Sequence, residues 1–185
     1  ARYWVHNGFL SIDSKKMSKS IGNILLVRDL LKQNNGEIIR LSLMLAHYRQ
    51  PLDWSNDTVS SARSMLDRFY GAIREIDISV FDGQKKEPPQ TIIRALEDDI
   101  NTPQALAEMF KLARKINSTN DYDLKQEMVR QLLGAGDLLG LIQYKPEEWF
   151  SLGTEVSLSI EEIEKMISDR DLARSERDFI KADMI

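Results

Sequence analysis

The sequence predicts a mainly α-helical protein whose few short strands are confined to residues 1–54. Three observations carry that expectation. Apolar residues recur at three- and four-residue spacing from residue 56 to 76, from 102 to 117 and from 123 to 141. Stretches with strand character are brief and lie only at residues 3–12, 24–26 and 52–54, too little for a self-sufficient sheet. Gln50-Pro51 and the run between Gly83 and Pro89 punctuate the helical stretches where a connection is needed.

Residues 3–12 mix aromatic, β-branched and polar types around Asn7-Gly8, which predicts one or two strands flanking that turn. Ile24-Leu25-Leu26 and Leu52-Asp53-Trp54 are the further strand candidates. From Val27 the pattern turns helical: a short helix to Gln33, then one from Gly36 to Tyr48. The second carries Ile38, Leu41 and Leu45 on one stripe with Ile39 and Leu43 beside it, which predicts burial around most of its circumference. Ser55 or Asn56 should cap a long helix to Ile76, with Val59, Ala62, Leu66, Phe69, Tyr70 and Ile73 inward. Residues 77–90 read as a surface linker.

Three helices are expected next. Thr91–Asp98 is brief. Thr102 as N-cap, with Pro103 at the first helical position, opens one to Asn117 that turns Leu106, Met109, Phe110, Ala113 and Ile116 inward. Asp123–Leu141 presents Leu124, Met128, Leu132, Ala135 and Leu139, and its Gly134 and Gly136 are expected to allow close helix packing despite ~1 kcal/mol each against alanine. Residues 146–157 read as a loop with a short turn near Trp149. Ser159 with Glu162 forms a capping box for a last helical region from Ile160 onward.

Composition bounds the function. With 185 residues and 42% hydrophobic content the chain can bury a core in one or two domains. No run of eighteen apolar residues exists and no signal peptide is seen, so no membrane span is expected and a cytoplasmic location is the default expectation. The absence of cysteine excludes a disulfide framework and a thiolate metal site within this sequence. Net charge is −4, but residues 1–50 carry eight Lys/Arg against three Asp/Glu while the remainder is acidic. A local anionic partner for the N-terminal part fits that asymmetry, because attraction to phosphate acts within a Debye length of ~8–10 Å.

Lys16-Met17-Ser18-Lys19-Ser20, followed by Ile21-Gly22-Asn23, sits inside that basic part. By composition alone it is an exposed basic turn. Its chemistry also suits a polyphosphate: two ammonium groups on flexible stems, two hydroxyl donors, and a glycine that lets the backbone turn.

In order, these five residues match the KMSKS loop of class I aminoacyl-tRNA synthetases at every position. Tyr3 to Phe9, Val27 to Leu31, His47-Tyr48-Arg49, Asp98 to Leu106 and Leu138 to Gln143 further resemble the cysteinyl-tRNA synthetases. The resemblance covers nearly the whole chain and weakens at residues 77–90 and 149–157. It implies the end of a catalytic domain with the loop and a stem-contact module over residues 1–54, an anticodon-binding helical bundle over 55–145, and a loop with a C-terminal helical region over 146–185. It implies cysteine, ATP with Mg²⁺, and the tRNA for cysteine as substrates, with a monomer expected. Lys19 is then the ATP-binding lysine, Lys16 its support and Met17 an anchor on apolar surface, with the hydroxyls of Ser18 and Ser20 able to donate hydrogen bonds to the ATP phosphates.

Arg170, Arg174, Arg177 and Lys181 fall within about 60° of arc on one helix face. Such a stripe suits phosphate positioning, and Phe179 offers a plane to an unstacked base. The resemblance implies anticodon reading by Arg174, Phe179 and Asp183, although the family commonly has Trp where this chain has Phe179. The alternative is a solvated face paired with Asp171, Asp178 and Asp183.

No metal is assigned to His6 or His47, since the resemblance implies that the family's zinc takes its ligands from sequence upstream of this chain. Asp98 and Asp99 are expected to act as a structural cap before the Asn-Thr-Pro helix start. The chain opens at Ala1 inside a motif and lacks the family's His-Ile-Gly-His motif, so it is expected to be a piece of a longer enzyme, inactive by itself. The alternatives are a cysteine ligase of mycothiol synthesis, which shares the loop but has no use for a tRNA-reading helix, and a non-catalytic helical RNA-binding module.

Overall fold

The computed structural model describes residues 1–18, 20–152, 160–175, 178 and 179, with backbone alone at 160–163. They fall into two compact units, residues 1–150 and 151–185. The first holds a small sheet followed by helices. Strands β1 (Leu10–Ile12), β2 (Lys15–Lys16) and β3 (Leu52–Trp54) are ordered β2-β1-β3. β1 runs antiparallel to β2 and parallel to β3, with Leu10, Ser11 and Ile12 opposite Leu52, Asp53 and Trp54.

The hairpin differs from the sequence expectation. Its turn is Asp13-Ser14, both left-handed at φ 49° and 64°, as a two-residue type I′ connection requires. Asn7-Gly8 makes no hairpin: residues 1–9 have no regular structure, and Gly8 N–H donates to the Tyr48 carbonyl at 2.7 Å. Glycine is needed there for closeness, since a Cβ would lie 2.2 Å from the Gln50 carbonyl oxygen. Ile24-Leu25-Leu26 is exposed and pairs with none of the three strands.

Helices α1 (Val27–Leu30) and α2 (Gly36–Met44) come next, both shorter than predicted. α2 buries Ile38, Ile39 and Leu41 but leaves Leu43 at 49% exposure, so one face only is covered. α3 (Asn56–Ile73) starts at Ser55, whose hydroxyl accepts from Thr58 N–H at 3.2 Å. A 3₁₀ turn at Ile78–Phe81, inserting the Phe81 ring, interrupts the predicted linker.

α4 (Gln90–Glu97), α5 (Thr102–Ser118) and α6 (Tyr122–Leu139) complete the bundle. The cap of α5 is Asn101 and not Thr102, which puts Pro103 one position further in. Thr102 Oγ1 instead donates to the Met44 carbonyl at 3.0 Å. Leu66, Phe69, Tyr70 and Ile73 of α3, Met109 and Ile116 of α5 and Leu132 of α6 are all fully buried. Leu124, expected inward, is 53% exposed in the first turn of α6.

The glycines of α6 admit backbone of a different kind from that expected. A Cβ at Gly134 would come within 2.8 Å of Lys86 and Glu87 main chain, and one at Gly136 within 2.6 Å of the Leu141 oxygen. The close neighbours are the linker and the chain leaving α6, not a helix. α7 (Pro146–Ser151) replaces the predicted loop, its Trp149 ring stacked on Tyr70 at 4.5 Å and its indole N–H bonded to Asp67 at 2.8 Å. In the second unit α8 (Ile160–Ser175) starts where expected, while the Ser159 capping box lies outside the described residues.

Candidate functional site

The basic loop grows from the hairpin. Asp53 on β3 accepts from Ser11 Oγ at 2.6 Å and from Ser14 N–H at 2.9 Å, fixing the turn. Those two hydrogen bonds hold the Asp53 carboxyl below its usual range. β2 then sends Lys15 and Lys16 to the surface. Lys16 Nζ rests 4.7 Å from the centroid of the Phe9 ring, a cation–π contact worth ~0.5–1 kcal/mol at an exposed site. Met17 is half-buried and its N–H points at the Leu10 carbonyl at 3.4 Å.

Beyond Met17 the chain turns on side-chain bonds. Asn23 Oδ1 accepts from Ser18 N–H at 2.9 Å, and its amide donates to the Lys16 carbonyl at 3.3 Å. One asparagine thus ties the base of the loop on both sides. Ser18 Oγ accepts from Ile21 N–H at 3.3 Å and lies 3.2 Å from Ser20 Oγ, bringing the two hydroxyls together. Gly22 sits at φ +74° with open space where a Cβ would be. Lys19 lies outside the described residues.

Sequence reasoning missed the roles of Asn23 and Phe9. An asparagine five residues after a serine, beyond a glycine, is a legible signal of local side-chain closure. Nothing in the sequence places the Phe9 ring under Lys16, because that contact depends on the register of the hairpin.

A second polar cluster joins the end of α2 to the α4–α5 connection. Arg49 holds Asp99 through Nε at 2.7 Å and Nη2 at 3.1 Å, and Tyr48 donates its hydroxyl to the same carboxylate at 2.6 Å. Arg49 first, then Tyr48, push the Asp99 carboxyl down to about 2. His47 Nδ1 accepts from Arg49 N–H at 3.3 Å, so Nε2 carries the proton that it gives to the Asp99 carbonyl at 3.0 Å. Asp99 and Ile100 pass through the left-handed region at φ 54° and 55° to make this reach. Asp99 is therefore an ion-pair partner, and the expected capping role falls to Asn101.

On α8, Arg170 and Arg174 are exposed and make no ion pair among the described residues. Phe179 is 61% exposed, and Asp178 N–H closes onto the Ala173 carbonyl at 2.9 Å. Arg177, Lys181 and Asp183 lie outside the described residues. The described residues hold no group of three or more His, Cys, Asp or Glu able to take a metal. No described helix is long and apolar enough to cross a membrane.

Residues 1–64 match the family model of the tRNA synthetases class I (C) catalytic domain, and residues 91–143 match that of the DALR domain. Over its whole length the chain is 46% identical to a cysteine–tRNA ligase of Parvibaculum lavamentivorans and 40% identical to one of Ehrlichia canis. It is 43% identical to one of Rhodospirillum rubrum. The chain spans 40% of the length of each of these relatives.

Proposed function

The chain belongs to the cysteine–tRNA ligase family, and from that premise we propose that it serves an enzyme joining cysteine to its tRNA through a cysteinyl-adenylate made from ATP. In the first step a carboxylate oxygen of cysteine attacks the α-phosphorus and pyrophosphate leaves. In the second, a ribose hydroxyl at the end of the tRNA attacks the acyl carbon and AMP leaves. The residues of this chain act on the first departure. Negative charge grows on the bridging and terminal phosphate oxygens, and Lys19 and Lys16 neutralise it, with Ser18 and Ser20 donating to the same oxygens.

The observation that carries this reading is the geometry of the loop. Asn23 ties its base on both sides, the hydroxyls of Ser18 and Ser20 lie 3.2 Å apart, and Gly22 leaves an open approach for a polyphosphate. Lys16 can leave Phe9 for phosphate, since its contact is worth ~0.5–1 kcal/mol and a charge-assisted bond to phosphate more. Met17 keeps the loop on the hairpin while its lysines move. Mg²⁺ would enter bound to the ATP phosphates. The zinc of this family finds no ligand set among the described residues.

The tRNA side of the proposal rests on the cations expected along residues 170–181, of which α8, ending at Ser175, carries Arg170 and Arg174. Arg170, Arg174, Arg177 and Lys181 would position phosphates, Phe179 would stack an anticodon base, and Arg174 and Asp183 would read base edges. In a complete ligase carrying these residues, Lys19→Ala is expected to lower cysteine-dependent ATP–pyrophosphate exchange ~10²-fold. A loss of less than about three-fold would remove Lys19 from this role. Charging of tRNA, rather than transfer of cysteine to an amino sugar, separates the proposal from a mycothiol-pathway ligase.

A further inference from the structure

We propose that Asn23 is a positioning residue for the departure of pyrophosphate: its side-chain amide holds the main chain of Lys16 and Ser18 so that the Lys16 ammonium and the Ser18 hydroxyl meet the leaving phosphates together. This deepens the reading of the loop given above and rests on it. Asn23 Oδ1 accepts from Ser18 N–H at 2.9 Å, and Nδ2 donates to the Lys16 carbonyl at 3.3 Å. The two bonds reach back five and seven residues. One planar amide, offering an acceptor and a donor side by side, serves both, and no other uncharged side chain of that length can.

A local structural duty does not account for this side chain. An asparagine that follows a glycine ordinarily turns onto the N–H groups just after it or caps the next helix. Asn23 does neither among the described residues: its bonds run backward, and α1 starts at Val27 with Leu26 at its N-cap and no side-chain bond there. From residue 20 to residue 28 every side chain is exposed except that of Asn23, which is half-buried. Gly22, left-handed at φ +74°, reverses the chain just before it and returns the amide to residues 16 and 18.

The amide fixes the root of each group and leaves its tip free. The Lys16 main chain is held on one side by its pairing with Ser11 in the hairpin and on the other by Asn23, while Nζ rests on the exposed Phe9 ring at 4.7 Å. Ser18 is held by its N–H. Its Oγ accepts from Ile21 N–H at 3.3 Å, so its own proton is left to donate. A fixed root with a movable tip lets a cation meet charge as it appears, without ordering two residues at that moment. One of the amide's bonds is exposed and the other half-buried, so together they add little to folding. Misplacing a reacting group by about 1 Å can cost ~10² in rate, so loss of the amide is felt in the chemical step.

The test is cysteine-dependent ATP–pyrophosphate exchange by a complete ligase carrying these residues, with kcat and the KM for ATP resolved. Asn23→Leu keeps the size and branching of the side chain and removes both bonds. It is expected to lower kcat about 10-fold with the KM for ATP held within about three-fold, and Asn23→Ala should match it within about two-fold. Lys16→Met removes the ammonium that Asn23 serves, and adding Asn23→Leu to it should cost no more than about three-fold further, the share carried by Ser18. Thermal melting of each variant should stay within about 2 °C of the parent.

A parent enzyme without cysteine-dependent exchange would sink the ligase reading, and the role of Asn23 with it. If the parent is active and Asn23→Leu keeps kcat within about two-fold, the role of Asn23 alone is overturned. A raised KM for ATP in place of a lowered kcat overturns it too, since the amide would then serve ATP equally before and during the reaction. Equal losses from Asn23→Leu in the parent and in the Lys16→Met enzyme overturn the action through Lys16. A fall in melting temperature of more than about 5 °C assigns Asn23 to folding and overturns its part in the chemistry.

Discussion

Glu37→Gln is the substitution that most directly tests how the N-terminal part is fastened to the helical bundle. Glu37 is 6% exposed in the first turn of α2, and both its oxygens are used. Oε2 accepts from Ile142 N–H at 3.1 Å and Oε1 from Gln143 N–H at 2.7 Å, while the Tyr70 hydroxyl lies 3.0 Å from each. Glutamine keeps the shape but turns one acceptor into a donor, which then faces a backbone N–H. Losing that pairing costs ~1–3 kcal/mol, and the remaining bonds lose their charge assistance. Against this stands relief from burying a charge, the cause that raises the Glu37 carboxyl above its ordinary value. The net expectation is a loss of ~2 kcal/mol at pH 7, or ~4–8 °C in Tm for a protein of this size. Thermal and urea unfolding followed by circular dichroism measure it. The pH dependence has a definite sign. A carboxyl raised on folding contributes most below its ordinary value of 4.5 and progressively less as pH climbs through the raised one. The Tm difference between parent and variant should therefore shrink from pH 4 toward pH 7. A variant within 1 °C of the parent at both pH values, or a difference that widens with pH, refutes the reasoning.

Asp99→Asn should flatten the acid limb of stability, because a carboxyl depressed to about 2 contributes above its ordinary value of 3.8 and loses that contribution as pH falls between the two. Unfolding midpoints from pH 5 to 2 check this, and parallel profiles for parent and variant would remove the Arg49 pairing from the account. Gly134→Ala should destabilise by ~1–3 kcal/mol despite a helix-propensity gain of ~1 kcal/mol, since its Cβ would meet Lys86 and Glu87 main chain at 2.7–2.8 Å. A rise in Tm would refute it. Gly8→Ala, with a Cβ 2.2 Å from the Gln50 oxygen, should speed amide exchange in β1 and β3, and unchanged protection there would show that the approach is relaxed at little cost.

The helices were legible because their signal is local. Val59 to Ile73 and Leu106 to Ile116 repeat at helical spacing, and the elements found there differ from expectation only at their ends. The strands were less so, because β1 and β3 pair across forty residues and the identity of a three-residue strand is settled by its partner and not by its own side chains. Leu124 shows the same limit in a helix: it has the right spacing but sits a turn before the point where a neighbour covers α6. In the loop, Lys16, Met17, Ser18 and Ser20 were readable as residue types with a matching order. Asn23 and Phe9 were not, since their parts are geometric. Asp99 was misread for a related reason: an aspartate before a helix looks like a cap until its partner, Arg49, is found on the far side of the sequence.

The two matched family regions are held together by the start of α2 gripping the end of α6. Arg40 donates through Nε to the Leu139 carbonyl at 2.5 Å, placing a cation at the negative end of the α6 dipole. Gly140, at φ +66°, has no Cβ, and one there would lie 2.7 Å from that same Nε. Glu37 takes the next two free N–H groups, and Tyr70 of α3 adds Tyr144 N–H at 3.1 Å. Of the orphaned carbonyls at this helix end, that of Leu139 is thus satisfied by Arg40, while those of Gly136 and Asp137 accept from Leu141 and Gly140 N–H of the chain leaving the helix. The basic loop is fastened otherwise, through a few exposed or half-buried bonds around Asn23 and a single ring contact. Opening free energies follow the number of buried contacts that must break. The junction should therefore open only with global unfolding while the loop opens near zero cost, which is what a segment needs if its lysines must follow a pyrophosphate as it departs.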